Sequence, residues 1–233
     1  HMETSMARLS SGKRINSASD DATGVAISSR LSAEIHGTDQ AIRNSLDGQA
    51  LIDTAEGAHK EIENILQRMR EVTIQAANDT NNDQDRANLQ AEIEAMTTEI
   101  DRIAGTTTWA GADLMEDATT TFSFQVGAAT GAKNQISVTI ETMNATGLGV
   151  GTGTASVVDV TDATKANTGT GLIDAAIEDV NIQRSKLGAV SNRLNHTVNN
   201  LTNISSNLSA AKGGIEDADF ALETTNLAKN QIL

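Results

Sequence analysis

Ile173, Val180, Leu187, Leu194, Leu201 and Leu208 recur at seven-residue intervals between Leu172 and Lys212. Ile177, Val190, Val198, Ile204 and Ala211 fall between them at offsets of three or four. A seven-residue apolar repeat keeps one seam on one side of a helix, and such a seam is stable only against partner helices. At a rise of 1.5 Å per residue this helix is about 60 Å long, and it requires a partner of similar length.

The partner is predicted between Ala22 and about Asn78. Ile27, Leu31, Ile35, Ile42 and Leu46 lead to Leu51, Ile52 and Ala55, then to Ile62, Ile65, Leu66, Met69, Val72 and Ala76, all at helical spacing. Ser19-Asp20-Asp21 offers a capping hydroxyl and two carboxylates at its start, and Gly37, Gly48 and Gly57 are expected only to bend it. Asn78–Asn82 breaks the pattern, because short polar side chains compete for backbone hydrogen bonds. Asn82 or Asp83 then caps a third helix carrying Leu89, Ile93, Met96, Ile100 and Ile103, which ends near Gly105 and folds back antiparallel.

From Thr106 the period changes to two. Thr121–Val126 and Gln135–Glu141 alternate apolar and polar residues and predict a β-hairpin at about 119–141. Residues 144–171 are rich in Gly, Thr and Ala and are expected to form an exposed insert, with Ala155–Val160 as its one strand candidate. Gly213-Gly214 is expected to end the heptad helix. The fold class expected is therefore mainly α with a small β part: an elongated antiparallel helical bundle of two long helices and one shorter helix, plus the hairpin. Residues 3–19 form a connecting segment with Arg8, Lys13 and Arg14, 20–143 and 172–214 form the helical core, and 215–233 begin a further helix.

Composition narrows the function more than the fold. The chain has no Cys, Pro or Tyr, three Phe, and Trp109 alone of its kind, so the core is aliphatic. A net charge of −14 argues against nucleic acid, whose phosphates need clustered Lys and Arg. No stretch approaches the roughly 18 consecutive apolar residues of a membrane span, and no secretory signal is visible.

Three near-motifs lack the residue their chemistry needs. Asn81, Asp83, Asp85 and Glu92 fit a calcium loop, but Arg86 stands where the loop needs Gly. Gly127–Lys133 resembles a phosphate loop of short spacing followed by Asn134, and a hairpin turn explains it better. The alternating Gly147, Gly149, Gly151 and Gly153 lack a strand-to-helix context. His36, His59 and His196 stand at neither metal-pair nor triad spacing, and Glu92, Glu94, Glu99 and Asp101 read as solvated helix faces. No catalytic, cofactor or metal site is predicted, and the chain is not expected to be an enzyme.

Four stretches carry a resemblance. Arg8–Gly24 (RLSSGKRINSASDDATG) resembles the N-terminal signature of bacterial flagellins, and Ile215–Leu233 (IEDADFALETTNLAKNQIL) resembles their C-terminal signature. Leu66–Asn78 and Asn88–Gly105 are similar to the family's inner helices, so the resemblance covers about residues 5–141 and 172–233. It implies an extracellular structural subunit of the flagellar filament, truncated at both termini, without large outer domains, and monomeric in this form. The partners it implies are other flagellin subunits, the flagellar export apparatus and its chaperone, and the filament cap and junction proteins. It also implies a surface for a host Toll-like receptor at Gln67, Arg68, Glu71, Val72, Gln75 and Glu92. Val72 stands where receptor-binding relatives carry Leu, so weakened binding is expected. The hook–filament junction protein is the near alternative. A cell-surface adhesin using residues 119–170 is the distant one, and it lacks the aromatic platforms that sugar sites use.

Overall fold

The computed structural model describes residues 1–15, 21–116, 118–217 and 220–232. The helices are α1 (Met2–Ser11), α2 (Ala22–Ala76), α3 (Asp83–Thr106), α4 (Ala163–Glu216) and α5 (Phe220–Ile232). Between α3 and α4 lie three two-stranded pairs: β1 (Thr108–Trp109) with β2 (Ala112–Asp113), β3 (Thr120–Gln125) with β4 (Gln135–Ile140), and β5 (Gly151–Thr152) with β6 (Ala155–Ser156). The chain forms two compact units. His1–Ser45, Gln125–Gln135 and His196–Leu233 make the first; Leu46–Phe124 and Ile136–Asn195 make the second. Both α2 and α4 pass from one unit to the other as continuous helices.

The second unit holds most of the apolar core. Leu51, Ile52, Ala55, Ile62, Leu66, Met69, Val72 and Ala76 of α2 are buried, together with Leu89, Ile93, Ile100 and Ala104 of α3. From α4 come Ile173, Ala176, Val180, Leu187 and Leu194, and from β4 come Val138 and Ile140. Arg70 pairs with Asp174 at 2.7 Å, the Thr73 and Thr170 hydroxyls meet at 2.7 Å, and Arg184 reaches both Glu56 and Glu63. Numbers rise along α2 as they fall along α4, so the helices are antiparallel. Each buried Leu or Ile contributes about 1.5–3 kcal/mol. A half-exposed pair such as Arg70–Asp174 contributes about 0–1 kcal/mol, so the apolar seam supplies the stability and the polar pairs specify register.

Helix ends follow local chemistry. Asn82 accepts from the Asp85 N–H at 2.8 Å, and the Asp85 carboxylate accepts from the Asn82 N–H at 3.1 Å, a reciprocal capping box at the start of α3. The residues of the near calcium loop are thus helix start. Of the start predicted for α2, Ser19 and Asp20 lie outside the described residues. Asp21 caps the helix, accepting from the Gly24 N–H at 2.9 Å. Gly127–Asn134 is the connection between β3 and β4, with Val126 N–H donating to the Asn134 carbonyl at 2.7 Å.

Three expectations are corrected. Residues 144–171 are not an exposed insert: Ala145, Leu148, Val150, Val158, Val160 and Ala166 are buried. Polar side chains of α3 hold this backbone. Asp101 accepts from the Ala145 N–H at 2.8 Å, Glu94 from the Ser156 N–H at 3.1 Å, and Gln90 from the Val160 N–H at 2.7 Å. Glu94 and Asp101 are therefore docking groups and not a solvated face. Second, α4 starts at Ala163 and not Leu172. Asp162 caps it through the Lys165 N–H at 2.7 Å, and Ala166 extends the seven-residue line backwards. Third, Gly213-Gly214 does not end α4, which runs to Glu216. The Gly213 carbonyl accepts from the Asp217 N–H at 2.8 Å, and Arg14 takes the Ile215 carbonyl at 2.8 and 3.0 Å. These bonds offset the roughly 1 kcal/mol that each helical glycine costs.

The seam itself is placed as predicted along most of α4. Ile173, Val180, Leu187, Leu194 and Leu201 are buried, while Leu208 is half-buried. The residues between them differ. Ala176 and Gln183 are buried, whereas Ile204 and Ala211 are exposed. Gln183 tolerates burial because its amide donates to the Thr139 carbonyl at 3.0 Å. Leu46, expected on the core stripe of α2, is 48% exposed.

The three glycines of α2 do not interrupt it. A Cβ at Gly57 would meet nothing within 4 Å, whereas one at Gly48 would lie 3.0 Å from Leu194 Cδ1 and 3.3 Å from Phe124. Gly57→Ala should therefore raise stability by about 0.5–1 kcal/mol through the unfolded chain's lost freedom. Gly48→Ala should gain less or lose, because the core must move. Urea unfolding followed by far-UV circular dichroism checks this, and equal gains would contradict the close approach at Gly48.

Candidate interaction surfaces

In the first unit, opposite charges from the two ends of the chain meet. α1 closes at Gly12, which adopts φ 73° and donates to the Arg8 carbonyl, turning the chain so that Lys13 and Arg14 follow. Arg8 pairs with Glu223 of α5 at 3.1 Å, and its Nε donates to the Arg14 carbonyl at 2.9 Å. Lys13 pairs with Glu216 at 3.4 Å, and its backbone bridges to Asp217. Arg14 reaches Asp21 at 3.4 Å besides the Ile215 carbonyl, and its N–H donates to the Glu216 carbonyl. Glu216 also accepts from the Ser28 hydroxyl and lies 4.0 Å from Lys212.

The Ser28 hydroxyl, ahead of the Lys13 and Lys212 charges, holds the Glu216 carboxyl below its ordinary range. The Gly24 N–H, ahead of Arg14, does the same for Asp21. Many buried positions of this unit are small or polar, among them Ser5, Ser28, Thr38, Ala41 and Ser45, with Ile15, Val126 and Leu201 as its larger buried apolar side chains. The first unit thus relies more on polar contacts than the second, which holds most of the large apolar core. The sequence shows the basic cluster of Arg8, Lys13 and Arg14, but only the fold brings Arg8 to Glu223, 215 positions away.

In the second unit, the residues expected to meet a receptor divide. Gln67, Arg68, Glu71 and Gln75 are exposed and Glu92 is half-buried on the adjoining α3. Arg68 bonds Glu92 at 2.8 Å and Glu71 at 3.1 Å, and the two carboxylates, Glu92 first, hold its guanidinium charge still more firmly. Ile74, 51% exposed, lies on the same face one turn beyond Glu71. Val72 is fully buried, as its place on the apolar stripe predicts, which corrects the surface position that the resemblance implied. It follows Met69 on the core stripe and shapes the exposed face from beneath.

No three metal-ligating side chains converge among the described residues. His36 and His196 are exposed, and His59 is buried in the core of the second unit. No described helix is long and apolar enough to cross a membrane.

Comparison with known proteins agrees with the geometry at both ends. The bacterial flagellin N-terminal helical region matches residues 1–120, and the bacterial flagellin C-terminal helical region matches residues 170–233. A flagellin of Halalkalibacterium halodurans is 44% identical over 231 residues, covering 99% of this chain and 83% of that protein. A flagellin of Bacillus subtilis is 42% identical, covering 99% and 85%. The crystal structure of Bacillus cereus flagellin superposes with a TM-score of 0.56 at 31% identity, over 73% of this chain and 94% of that one. A protein named as flagellar hook-associated, from Vibrio parahaemolyticus, gives a TM-score of 0.70 at 16% identity, over 85% and 100%; it shares the fold.

The clasp makes a specific prediction. Glu223 has a side chain only 5% exposed, with Oε2 unpartnered, so Arg8→Met strands a buried carboxylate. Hydrogen exchange of the α1 and α5 amides should rise by about one to two orders of magnitude. Arg8→Met combined with Glu223→Leu should recover part of the protection. Unchanged exchange in Arg8→Met would contradict the clasp.

Proposed function

The chain belongs to the bacterial flagellin family and is a structural subunit of the flagellar filament, and on that premise we propose how it fills this role. The observation that carries the reading is that both flagellin helical regions match in order, on the helices that pack antiparallel in each unit. Exposed faces of α2, α3 and α4 supply heterologous contacts, which propagate as an open helical array when the rotation does not close. The long helices transmit each contact along the subunit, so small packing differences select filament form. The α1–α5 clasp sets the position of the terminal helices for the axial contacts. Its partners are further copies of itself, together with the export apparatus and chaperone that deliver it and the cap and junction proteins at the filament's ends. Delivery outside the cell by the flagellar secretion route accords with the absence of cysteine.

The face around Arg68 is proposed as the contact for a host Toll-like receptor. Gln67, Arg68, Glu71, Gln75 and Glu92 present the polar contacts, and Val72 supports them from the core. An Arg held by two carboxylates beside an exposed Ile has the make-up of an interface anchor. The junction-protein reading is supported by a shared fold at 16% identity, against 44% for a flagellin.

Two outcomes test this. Extended at both ends with the terminal helical segments of a flagellin and introduced into a bacterium deleted for its own flagellin, this chain should restore long filaments in electron micrographs. Short stubs would favour the junction reading. In receptor-reporter cells, Arg68→Ala with Glu92→Ala should cut signalling at least about tenfold without changing helix content. Equal signalling would remove the receptor surface from the account.

A further inference from the structure

His59 occupies a core position of α2, between Ala55 and Ile62, both without exposed surface. The imidazole is itself fully buried, and neither Nδ1 nor Nε2 has a hydrogen-bond partner. Beside it, Arg184 of α4 forks to two carboxylates of α2: Glu56, about one turn before His59, at 3.2 Å, and Glu63, about one turn after, at 2.5 Å. The two carboxylates hold the guanidinium where its charge acts on the imidazole, and no described carboxylate accepts a hydrogen bond from the ring.

The other charged groups at this level are engaged elsewhere or face solvent. On α2, Lys60 and Glu61 are exposed. On α3, Glu99 pairs with Arg102 at 2.6 Å, and Asp101 holds the Ala145 N–H at 2.8 Å. On α4, Gln183 is neutral and bonded to β4, and Lys186 faces Glu141 at 3.9 Å. A proton added to His59 from solvent would therefore place an imidazolium in an apolar layer near a cation, while the nearest carboxylates, Glu56 and Glu63, are engaged by Arg184.

We propose that His59 and the Arg184 clamp form an acid-operated release for the α2–α4 packing of the second unit. A buried neutral imidazole can take up a proton only when the helices part enough to hydrate it. Mild acid therefore favours the parted state, and neutralisation restores the packing.

The direction follows from linkage. Burial, with the Arg184 charge adding to it, pushes His59 from 6.5 down to about 4. The unfolded chain then binds more protons than the folded one between these values. Stability is fully present above pH 6.5 and is lost as pH falls from 6.5 towards 4. Asp21 and Glu216, whose carboxyls are held below their ordinary 3.8 and 4.5, contribute losses only at lower pH.

Urea unfolding of the full chain between about pH 7 and pH 4.5 tests the release. The wild-type folding constant should drop on the order of a hundredfold across that window. His59→Leu, with no titrating group, should hold nearly constant. His59→Gln, neutral and still polar, should also be flat even where its absolute stability is lower. Arg184→Gln should show a smaller drop than the wild type, because the cation opposing the imidazolium is gone. A wild-type curve parallel to both His59 variants would overturn the proposal, as would an undiminished drop in Arg184→Gln.

Discussion

Two helices of more than fifty residues each must cover one another's apolar stripe, and every other feature of the chain is arranged around that constraint. An isolated helix gains little from propensity, and its stability comes from the face it buries. α2 and α4 satisfy this in different ways along their length. In the second unit large aliphatic side chains interdigitate, with α3 and β4 adding further cover. In the first unit Ser28, Thr38, Ala41 and Ser45 line α2, and hydrogen bonds such as Ser205 to Asp39 at 2.7 Å take over the role of bulk.

That division explains what could be read directly from residue patterns. The limits of α2 and α3, the hairpin strands and the seven-residue line were legible because each is a periodicity of apolar side chains over many residues. The start of α4 was not. Ala166 and Gly169 continue its buried line, but small residues carry no hydropathy signal, and Asp162 is a cap visible only once the helix is suspected. Gly213-Gly214 misled for the opposite reason: local preference says stop, while Arg14, about 200 positions away, holds the helix open to Glu216. Residues 144–171 have a loop's composition, yet Gln90, Glu94 and Asp101 satisfy their backbone and so permit burial.

The surfaces show the same limit. Arg68, Glu71, Gln75 and Glu92 were recognised through a resemblance, and helical spacing alone brings three of them together. Spacing put Val72 on the core stripe and the resemblance put it on the receptor surface, because a core stripe and an exposed face adjoin within one turn; its burial agrees with the spacing. Of the clasp of Arg8, Lys13 and Arg14 with Glu216 and Glu223, only the basic side was marked in the sequence. For a filament subunit the two regimes have different consequences. On the proposed role, the more apolar unit would carry load and form, while the more polar unit would position the ends that meet neighbouring copies.

The antiparallel pairing of α2 with α4 is the central claim, and the absence of native cysteine makes it directly measurable. Thr73→Cys with Thr170→Cys places two thiols where hydroxyls now meet at 2.7 Å. Under mild oxidation this pair should form an intrachain disulfide rapidly and almost completely, while Thr73→Cys with Arg184→Cys should not. Failure of the first pair, or equal crosslinking of both, would contradict the register on which the account rests.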